Sequence, residues 1–219
     1  MGPVVWQATA AELRRRGHTA DAPAWLRFQD AQPPFYRALA QDMAGKIGEG
    51  EPAVAVLHSG AGALGGALEA AAGDRLAGVI LADAILPHPG RSWFDTAPPP
   101  LRDQLRRGAH AGLLPAWDKW WPPGALEKLV PDALVRETML DELSELPADF
   151  FEEAAPQADL AGPCGYLQFS GAYEDEARRA RGLGWSVARL GLHHLAPLTN
   201  PPEVAAALDG LGQMVIKAS

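Results

Sequence analysis

A serine stands directly after an apolar run in the first half of the chain, in the stretch Val54-Ala55-Val56-Leu57-His58-Ser59-Gly60-Ala61-Gly62. An apolar strand that turns sharply into a helix displays the side chain at the bend, and small neighbours let the two backbones pass closely. The usual consensus sequence of such a turn is G-x-S-x-G, and Leu57 and Ala61 replace its outer glycines here. The pattern indicates Ser59 as a nucleophile, with a phosphate cradle or close packing as the alternatives.

The same small residues are compatible with a nucleotide-binding turn. The stretch Gly60-Ala61-Gly62-Ala63-Leu64-Gly65 has the G-x-G-x-x-G spacing, and Asp83 follows near the distance of about 20 residues at which dinucleotide sites place an acidic residue. That fingerprint normally belongs to the first strand of its sheet, which counts against this alternative. A Walker loop would need Gly-Lys-Ser/Thr at its end, and no lysine lies between Lys46 and Lys119.

The proton of a serine nucleophile must be taken by a base from elsewhere in the fold. Two histidines, His193 and His194, come soon after the last apolar run of the chain, at residues 186–190. The loops after the carboxyl ends of parallel strands gather at one edge of a sheet, so Ser59 and one of these histidines can meet there.

The acid that would orient the histidine has several candidates. Asp83 ends the apolar run that follows the serine, and Glu174, Asp175 and Glu176 come after a later run that ends at Ser170. The acidic cluster also has a structural interpretation, because carboxylates stabilise a helix N-terminus. Asp83 is preferred, since it alone stands immediately at a strand tip.

Apolar runs alternate with helical periodicity along much of the chain, which is typical of an α/β fold with a mostly parallel sheet and flanking helices. The length of 219 residues suits one such domain. Strands are expected at 53–57, 77–82, 165–170 and 186–190, with a further short one at 18–23. Helices are expected at 6–16, 35–47, 59–72, 101–107, 125–129, 133–146, 174–181 and 203–214.

The alternation stops between residues 86 and 163. Structureless loops of about 70 residues are uncommon in compact domains, so this proline-rich stretch is expected to be an inserted helical cap. The chain then divides into a core at 1–85, a cap at 86–163 and a returning core at 164–219. The tryptophans of the cap either anchor it to the core or line an apolar substrate pocket. The candidates for the pocket are Trp117, Trp120, Trp121, His58 and His88.

The composition argues against several classes of partner. Lysine and arginine total 19 against 27 for aspartate and glutamate, a net charge of -8, so nucleic acid is not an expected partner. No apolar stretch approaches the roughly 20 residues needed to cross a bilayer, so no membrane span is expected. The single cysteine, Cys164, allows no internal disulfide, and the start Met1-Gly2-Pro3 is unlike a signal peptide. The cytoplasm is therefore the expected compartment.

Two segments of the sequence resemble motifs of a known family, the α/β-hydrolase fold proteins, and within it those of small esterase-like members found in bacteria. The phrase His58-Ser59-Gly60-Ala61-Gly62 is similar to their elbow, and His194-Leu195-Ala196-Pro197-Leu198-Thr199-Asn200-Pro201 to the loop of their catalytic histidine. The chain order Ser, acid, His is also theirs, and the likeness spans nearly the whole chain. The resemblance implies His194 as the base and His193 as a neighbour that shapes the loop. It implies Gly60 as a donor to the oxyanion and an acid after the later strand, which favours Glu174 or Asp175.

The sequence departs from the family at its amino end. Members usually begin with a buried strand leading to His-Gly, whose loop gives the second backbone donor of the oxyanion hole. Here the sequence starts at Met1-Gly2-Pro3-Val4-Val5-Trp6, where that loop is expected to end, unless the start codon lies upstream. Losing one donor costs about 100- to 1000-fold in turnover. A sheet without that strand exposes an edge, so a homodimer with its contact near residues 1–25 and the elbow strand is expected.

These observations together predict a serine hydrolase, of weak activity if a donor is missing, that cleaves an ester, lactone or thioester of a small apolar molecule. Ser59 attacks, His194 moves the proton and Asp83 orients the histidine. No metal and no cofactor are expected. The alternative is a non-hydrolytic binding or cyclising protein that keeps the fold and the pocket with an incomplete oxyanion hole.

Overall fold

A computed structural model describes residues 2–27 and 30–218 of the chain. The strands of this part are β1 (Ala53–His58), β2 (Leu76–Ala82), β3 (Leu113–Leu114), β4 (Leu146–Pro147), β5 (Cys164–Gln168) and β6 (Ser186–Arg189). Its helices are α1 (Val4–Arg15), α2 (Phe35–Gly45), α3 (Gly65–Ala72), α4 (Trp93–Thr96), α5 (Pro99–Gly108), α6 (Ala125–Leu129), α7 (Ala133–Asp141), α8 (Ala148–Glu152), α9 (Glu174–Gly182), α10 (Ala196–Thr199) and α11 (Pro201–Lys217). Short 3₁₀ helices occupy Ser59–Leu64, Gly73–Arg75, Trp117–Trp120 and Gly171–Tyr173.

Four of the strands form a parallel sheet in the order β1-β2-β5-β6. β1 pairs with β2 over its full length, from Ala53 beside Leu76 to His58 beside Ala82. β5 lies between β2 and β6, while β3 and β4 form a separate antiparallel pair. Because the four strands run in one direction, the residues that follow them lie along one edge of the sheet. The prediction of a mostly parallel sheet with flanking helices is confirmed.

Helices cover both faces of the sheet, and the side chains of β2 divide between them. Ile80 and Ala82 pack in the apolar cluster that contains the inner face of α11. Val79 and Leu81 pack in the opposite cluster, which includes residues of α3 and α9. This alternation is expected for a strand that is buried on both faces. No helix in the described residues is long and apolar enough to span a membrane.

Residues 83–163, between β2 and β5, form an inserted segment that carries α4 to α8 and the β3-β4 pair. One part of it packs on α2 and on the 3₁₀ helix after β1, through a cluster that includes Phe94, Phe150 and Leu64. Another part packs on α1 and on the loop after β6, where Met139 and Leu195 share a second cluster. The inserted segment therefore contacts both of the turns in which the sequence places catalytic candidates. The division into core and cap at residues 85 and 163 stays a prediction.

The strand predicted at 18–23 is wrong, because residues 18–27 have no regular secondary structure. Side chains of neighbouring helices bind the polar groups of this stretch in place of a strand. Arg14 donates to the carbonyl oxygen of Ala20, and Nε2 of His18 lies 3.1 Å from Oδ1 of Asp209. The helix predicted at 59–72 begins as a 3₁₀ helix and becomes α-helical only at α3. The helix predicted at 133–146 ends at Asp141.

Candidate active site

The turn after β1 holds Ser59 in a backbone conformation that few side chains adopt. Its φ is 59°, in the left-handed region, where residues other than glycine are uncommon and where such residues cluster at functional sites. The turn packs closely on the loop after β2: the N–H of Ile85 donates to the Ser59 carbonyl at 3.2 Å, and a Cβ on Gly62 would overlap the Ile85 carbonyl oxygen. Gly60 is exposed in the first turn of the 3₁₀ helix, where backbone donors lack partners within the helix.

Asp83 follows β2 directly, and its carboxylate is completely buried. Its Oδ1 accepts from the backbone N–H groups of Phe169 and Ser170, each at 2.9 Å. Its Oδ2 accepts from Oγ of Ser170 and from Nδ1 of His194, each at 2.8 Å. Both oxygens are therefore occupied, which leaves no acceptor for the ribose of a dinucleotide and argues against that alternative. The φ of Asp83, 44°, is also left-handed.

His194 lies between the serine and the buried carboxylate. Its Nδ1 is 2.8 Å from Oδ2 of Asp83, and its Nε2 is 3.0 Å from Oγ of Ser59. Because a buried carboxylate can only accept, the hydrogen of the neutral imidazole sits on Nδ1, and the lone pair of Nε2 faces the serine hydroxyl. The structure thus joins three residues from the ends of three strands in one hydrogen-bonded relay, in the arrangement that activates a serine for attack on a carbonyl.

Solved structures with the same architecture cover almost the whole chain. An extracellular α/β-hydrolase from a Paenibacillus species matches with a TM-score of 0.75 and 18% identity, over 96% of this chain and 94% of that chain. The chain has the α/β-hydrolase fold. A methylesterase from Arabidopsis matches with a TM-score of 0.68 and 12% identity, over 97% and 94% of the two chains. Tomato methylketone synthase I, as a variant bound to β-ketoheptanoate, matches with a TM-score of 0.67 and 12% identity, over 98% and 93%. No family model and no curated protein matches the sequence.

Within this α/β-hydrolase fold, His58 lies under the loop of His194 rather than in an open pocket, where the sequence placed it. Its Nε2–H donates to the carbonyl oxygen of His194 at 3.0 Å, and the two rings are 4.6 Å apart. The indole of Trp6, in α1, meets the His58 ring edge-on at 5.5 Å. Burial, and then the neighbouring His194, lower the pKa of His58 well below its usual value, so it remains a neutral donor. His58 therefore supports the histidine loop from β1.

His193 shapes the same loop from its outer side. Its Nδ1 accepts from the N–H of Leu195 at 3.3 Å, and its Nε2 lies 3.1 Å from Oγ1 of Thr199. Helix α1 holds the far end of the loop, since Oγ1 of Thr9 donates to the carbonyl oxygen of Pro197 at 2.8 Å. These contacts are those of a neighbour that fixes the loop, as the sequence suggested.

The alternative acids, Glu174 and Asp175, open α9 and point to other partners. Glu174 pairs with Arg189 at 3.2 Å, and the exposed carboxylate of Asp175 pairs with Arg178 at 2.8 Å. Neither has a described contact with His194. Their position in the first turn of a helix is one that stabilises carboxylates, which accounts for the acidic cluster.

Tyr173 is a site residue that sequence reasoning missed. It ends the 3₁₀ helix that follows β5, and its hydroxyl lies 3.5 Å from Oγ of Ser59. Its ring stacks on the imidazole of His194 with centroids 5.2 Å apart and an angle of 9°. Burial raises the pKa of Tyr173 to about 12, against the lowering effect of the hydrogen bond with Ser59. The sequence could have indicated Tyr173 by its position shortly after the end of β5, because the residues that follow the parallel strands lie at the same edge of the sheet as Ser59.

The three tryptophans predicted for the pocket have three different environments. The ring of Trp117 lies 6.1 Å from His194 and 5.6 Å from Trp121, whose side chain is 47% exposed. Trp120 packs instead on Trp93 and Phe151, each at 6.0 Å, in the core of the inserted segment. Trp117 thus lies beside His194 with Trp121 next to it, whereas Trp120 packs within the inserted segment.

His88 has the contacts of a structural residue. It is 6% exposed, its Nδ1–H donates to the carbonyl oxygen of Arg91 at 2.9 Å, and its Nε2 lies 3.5 Å from the hydroxyl of Tyr36. Burial lowers the pKa of His88, so the ring is neutral. These contacts give no support to His88 as a pocket residue. Across residues 2–27 and 30–218, no group of three or more His, Cys, Asp and Glu side chains is placed to hold a metal ion.

Proposed function

We propose that this protein is a serine hydrolase with Ser59 as nucleophile, His194 as general base and Asp83 as the orienting acid. The observation that carries the proposal is the continuous relay of hydrogen bonds from Ser59 Oγ through His194 to Asp83, at 3.0 and 2.8 Å. The left-handed backbone of Ser59 supports it, because such a conformation is maintained only where the surrounding structure enforces it.

The relay supports a two-step acyl transfer. Nε2 of His194 takes the hydroxyl proton as Oγ of Ser59 attacks the carbonyl carbon, and the carboxylate of Asp83 stabilises the imidazolium that forms. The N–H of Gly60, in the first turn after the nucleophile, donates to the carbonyl oxygen as it gains negative charge. The imidazolium then protonates the leaving group, and a water molecule repeats the sequence on the acyl-enzyme.

We further propose that the substrate is an ester, lactone or thioester of a small apolar molecule. The aromatic rings of Trp117 and Tyr173 lie 6.1 and 5.2 Å from the ring of His194, and the ring of Trp121, whose side chain is 47% exposed, lies 5.6 Å from that of Trp117. Aromatic side chains favour apolar or planar substrate groups, because these pack against the rings without leaving polar atoms unpaired. The methylesterase among the compared structures is consistent with a small ester as the substrate.

The test is hydrolysis of p-nitrophenyl esters of increasing acyl length by the wild type and by Ser59→Ala. The wild type is expected to turn over, and Ser59→Ala to fall by about 10⁴-fold or more, since the nucleophile is lost. Ser186→Ala is the matched control, because Ser186 begins β6 at the end of the strand away from the site. Equal activity of Ser59→Ala and the wild type contradicts the mechanism. A wild type that binds the esters without cleaving them supports the non-hydrolytic alternative.

A further inference from the structure

Tyr173 brings a second polar group to the serine oxygen, beside His194. Its hydroxyl is 3.5 Å from Oγ of Ser59, which is the outer limit of a hydrogen bond in the resting enzyme. The hydroxyl of Ser59 already donates its hydrogen towards Nε2 of His194. The phenol is therefore the donor and the serine oxygen is the acceptor in this contact.

The surroundings of Tyr173 fix both the position and the charge of the phenol. The parallel stack on His194, with centroids 5.2 Å apart, restricts the rotation of the ring. Burial and the nearby carboxylates of Asp83 and Glu176 raise the pKa of Tyr173, which reaches about 12. The phenol thus carries its hydrogen throughout the pH range in which His194 can act as a base.

The proposed reaction places a new negative charge within reach of this hydrogen. As the bond from Ser59 Oγ to the carbonyl carbon forms, the serine proton moves to Nε2 of His194, and the π electron pair of the carbonyl moves onto its oxygen. That oxygen lies two bonds from Oγ. The imidazolium of His194 gives its proton to the leaving group, whereas the phenol keeps its own proton and donates it in a hydrogen bond.

We propose that Tyr173 is a catalytic residue whose phenol donates a hydrogen bond to the oxyanion, beside the N–H of Gly60. The inference depends on the proposed serine-hydrolase function and adds a side-chain donor to it. In the resting enzyme the phenol lies 3.5 Å from Oγ of Ser59, and when the charge appears it donates to the carbonyl oxygen instead. An interaction that is stronger in the transition state than in the ground state raises kcat and leaves KM largely unchanged.

The experiment compares Tyr173→Phe with Tyr36→Phe, which removes a buried hydroxyl of α2 that lies 3.5 Å from Nε2 of His88 and has no described contact with Ser59, His194 or Asp83. Rates are measured with p-nitrophenyl butyrate and with ethyl butyrate, and are expressed per fluorophosphonate-titrated Ser59, so that unfolded protein is not counted. Tyr173→Phe is expected to lose about 100-fold in kcat on both esters, the effect of removing one oxyanion donor, with KM within about twofold. Tyr36→Phe is expected to keep the wild-type kcat.

A second measurement reports on the oxyanion without turnover. A trifluoromethyl ketone forms a charged adduct with the serine, and its inhibition constant is expected to weaken in Tyr173→Phe by the same factor as kcat. A loss confined to ethyl butyrate, or an unchanged inhibition constant, overturns the assignment. Equal kcat for Tyr173→Phe and an active wild type overturns this inference alone, whereas a wild type that neither reacts with the fluorophosphonate nor turns over overturns the proposed function as well.

Discussion

Replacing Asp83 with asparagine changes one atom in the relay and reverses the two hydrogen bonds that Oδ2 accepts, from His194 and from Ser170. The asparagine oxygen is expected to keep the place of Oδ1, because the N–H groups of Phe169 and Ser170 can only donate to it. The amide nitrogen then takes the place of Oδ2 and faces Nδ1 of His194. Two donors cannot pair, so the imidazole moves its hydrogen to Nε2 in order to accept at Nδ1.

The size of the effect follows from that exchange of tautomers. With a hydrogen on Nε2, His194 can no longer take the proton of Ser59 at the 3.0 Å contact that activates it. Loss of the correct tautomer in a serine–histidine–acid relay costs about 10⁴-fold in kcat, which is about 5.4 kcal/mol of transition-state free energy. Stability is expected to change much less, because the two backbone donors and the Ser170 hydroxyl keep acceptors or exchange roles.

The assay is kcat on p-nitrophenyl butyrate together with the melting temperature. The matched controls are Glu174→Gln and Asp175→Asn, which neutralise the other candidate acids and are expected to stay within about twofold of the wild type, because both carboxylates pair with exposed arginines. Asp83 is not the orienting acid if Asp83→Asn keeps more than a tenth of the wild-type kcat, or if either control loses activity to the same extent.

Three further predictions concern the pocket, the tyrosines and the assembly. Trp121→Ala is expected to raise KM for long acyl esters several-fold and to leave KM for acetyl esters unchanged. Trp120→Ala is expected to lower the free energy of unfolding by about 3 kcal/mol, because core packing is lost. Equal effects of the two variants on KM and on the free energy of unfolding contradict the assignment of Trp121 to substrate contact and of Trp120 to packing. The pKa values of Tyr36, Tyr166 and Tyr173 are all raised, mainly by burial, so their contribution to stability is full below pH 10 and is lost as the pH rises through these raised values, of which that of Tyr173 is about 12. The folded protein is expected to show no tyrosinate absorbance near pH 10, and an ordinary tyrosine titration there contradicts this. β1 lies at the edge of the described sheet, so we expect a homodimer with its contact near that strand; sedimentation as a monomer at micromolar concentration contradicts it.

The relay could be predicted from the sequence because each of its members stands at a chain position with a local signature. Ser59 ends an apolar run and precedes small residues, and Asp83 ends the next run. His194 was reached through the chain order of a resembling family. The direction of parallel strands then brings the strand ends together, so one-dimensional patterns were sufficient to expect their proximity.

The other features of the site depend on contacts that leave no such pattern. Tyr173 reaches the serine because a 3₁₀ turn and a ring stack place its hydroxyl there, and both are tertiary effects. Trp117 and Trp120 are three positions apart in the sequence, yet one lies beside His194 and the other in the core of the inserted segment. Both belong to one short 3₁₀ helix, Trp117–Trp120, and the occurrence of such a helix depends on the packing around it rather than on a periodic pattern.

The most direct test of the account is the site at which a fluorophosphonate attaches. The probe reacts with a serine whose hydroxyl is activated by a base, so peptide mapping by mass spectrometry identifies the nucleophile without any assumption about the substrate. One adduct is expected, on the peptide that contains Ser59, and it is expected to disappear in Ser59→Ala. An adduct on another serine such as Ser170 or Ser92, or ester hydrolysis by a protein that takes up no probe, would contradict it.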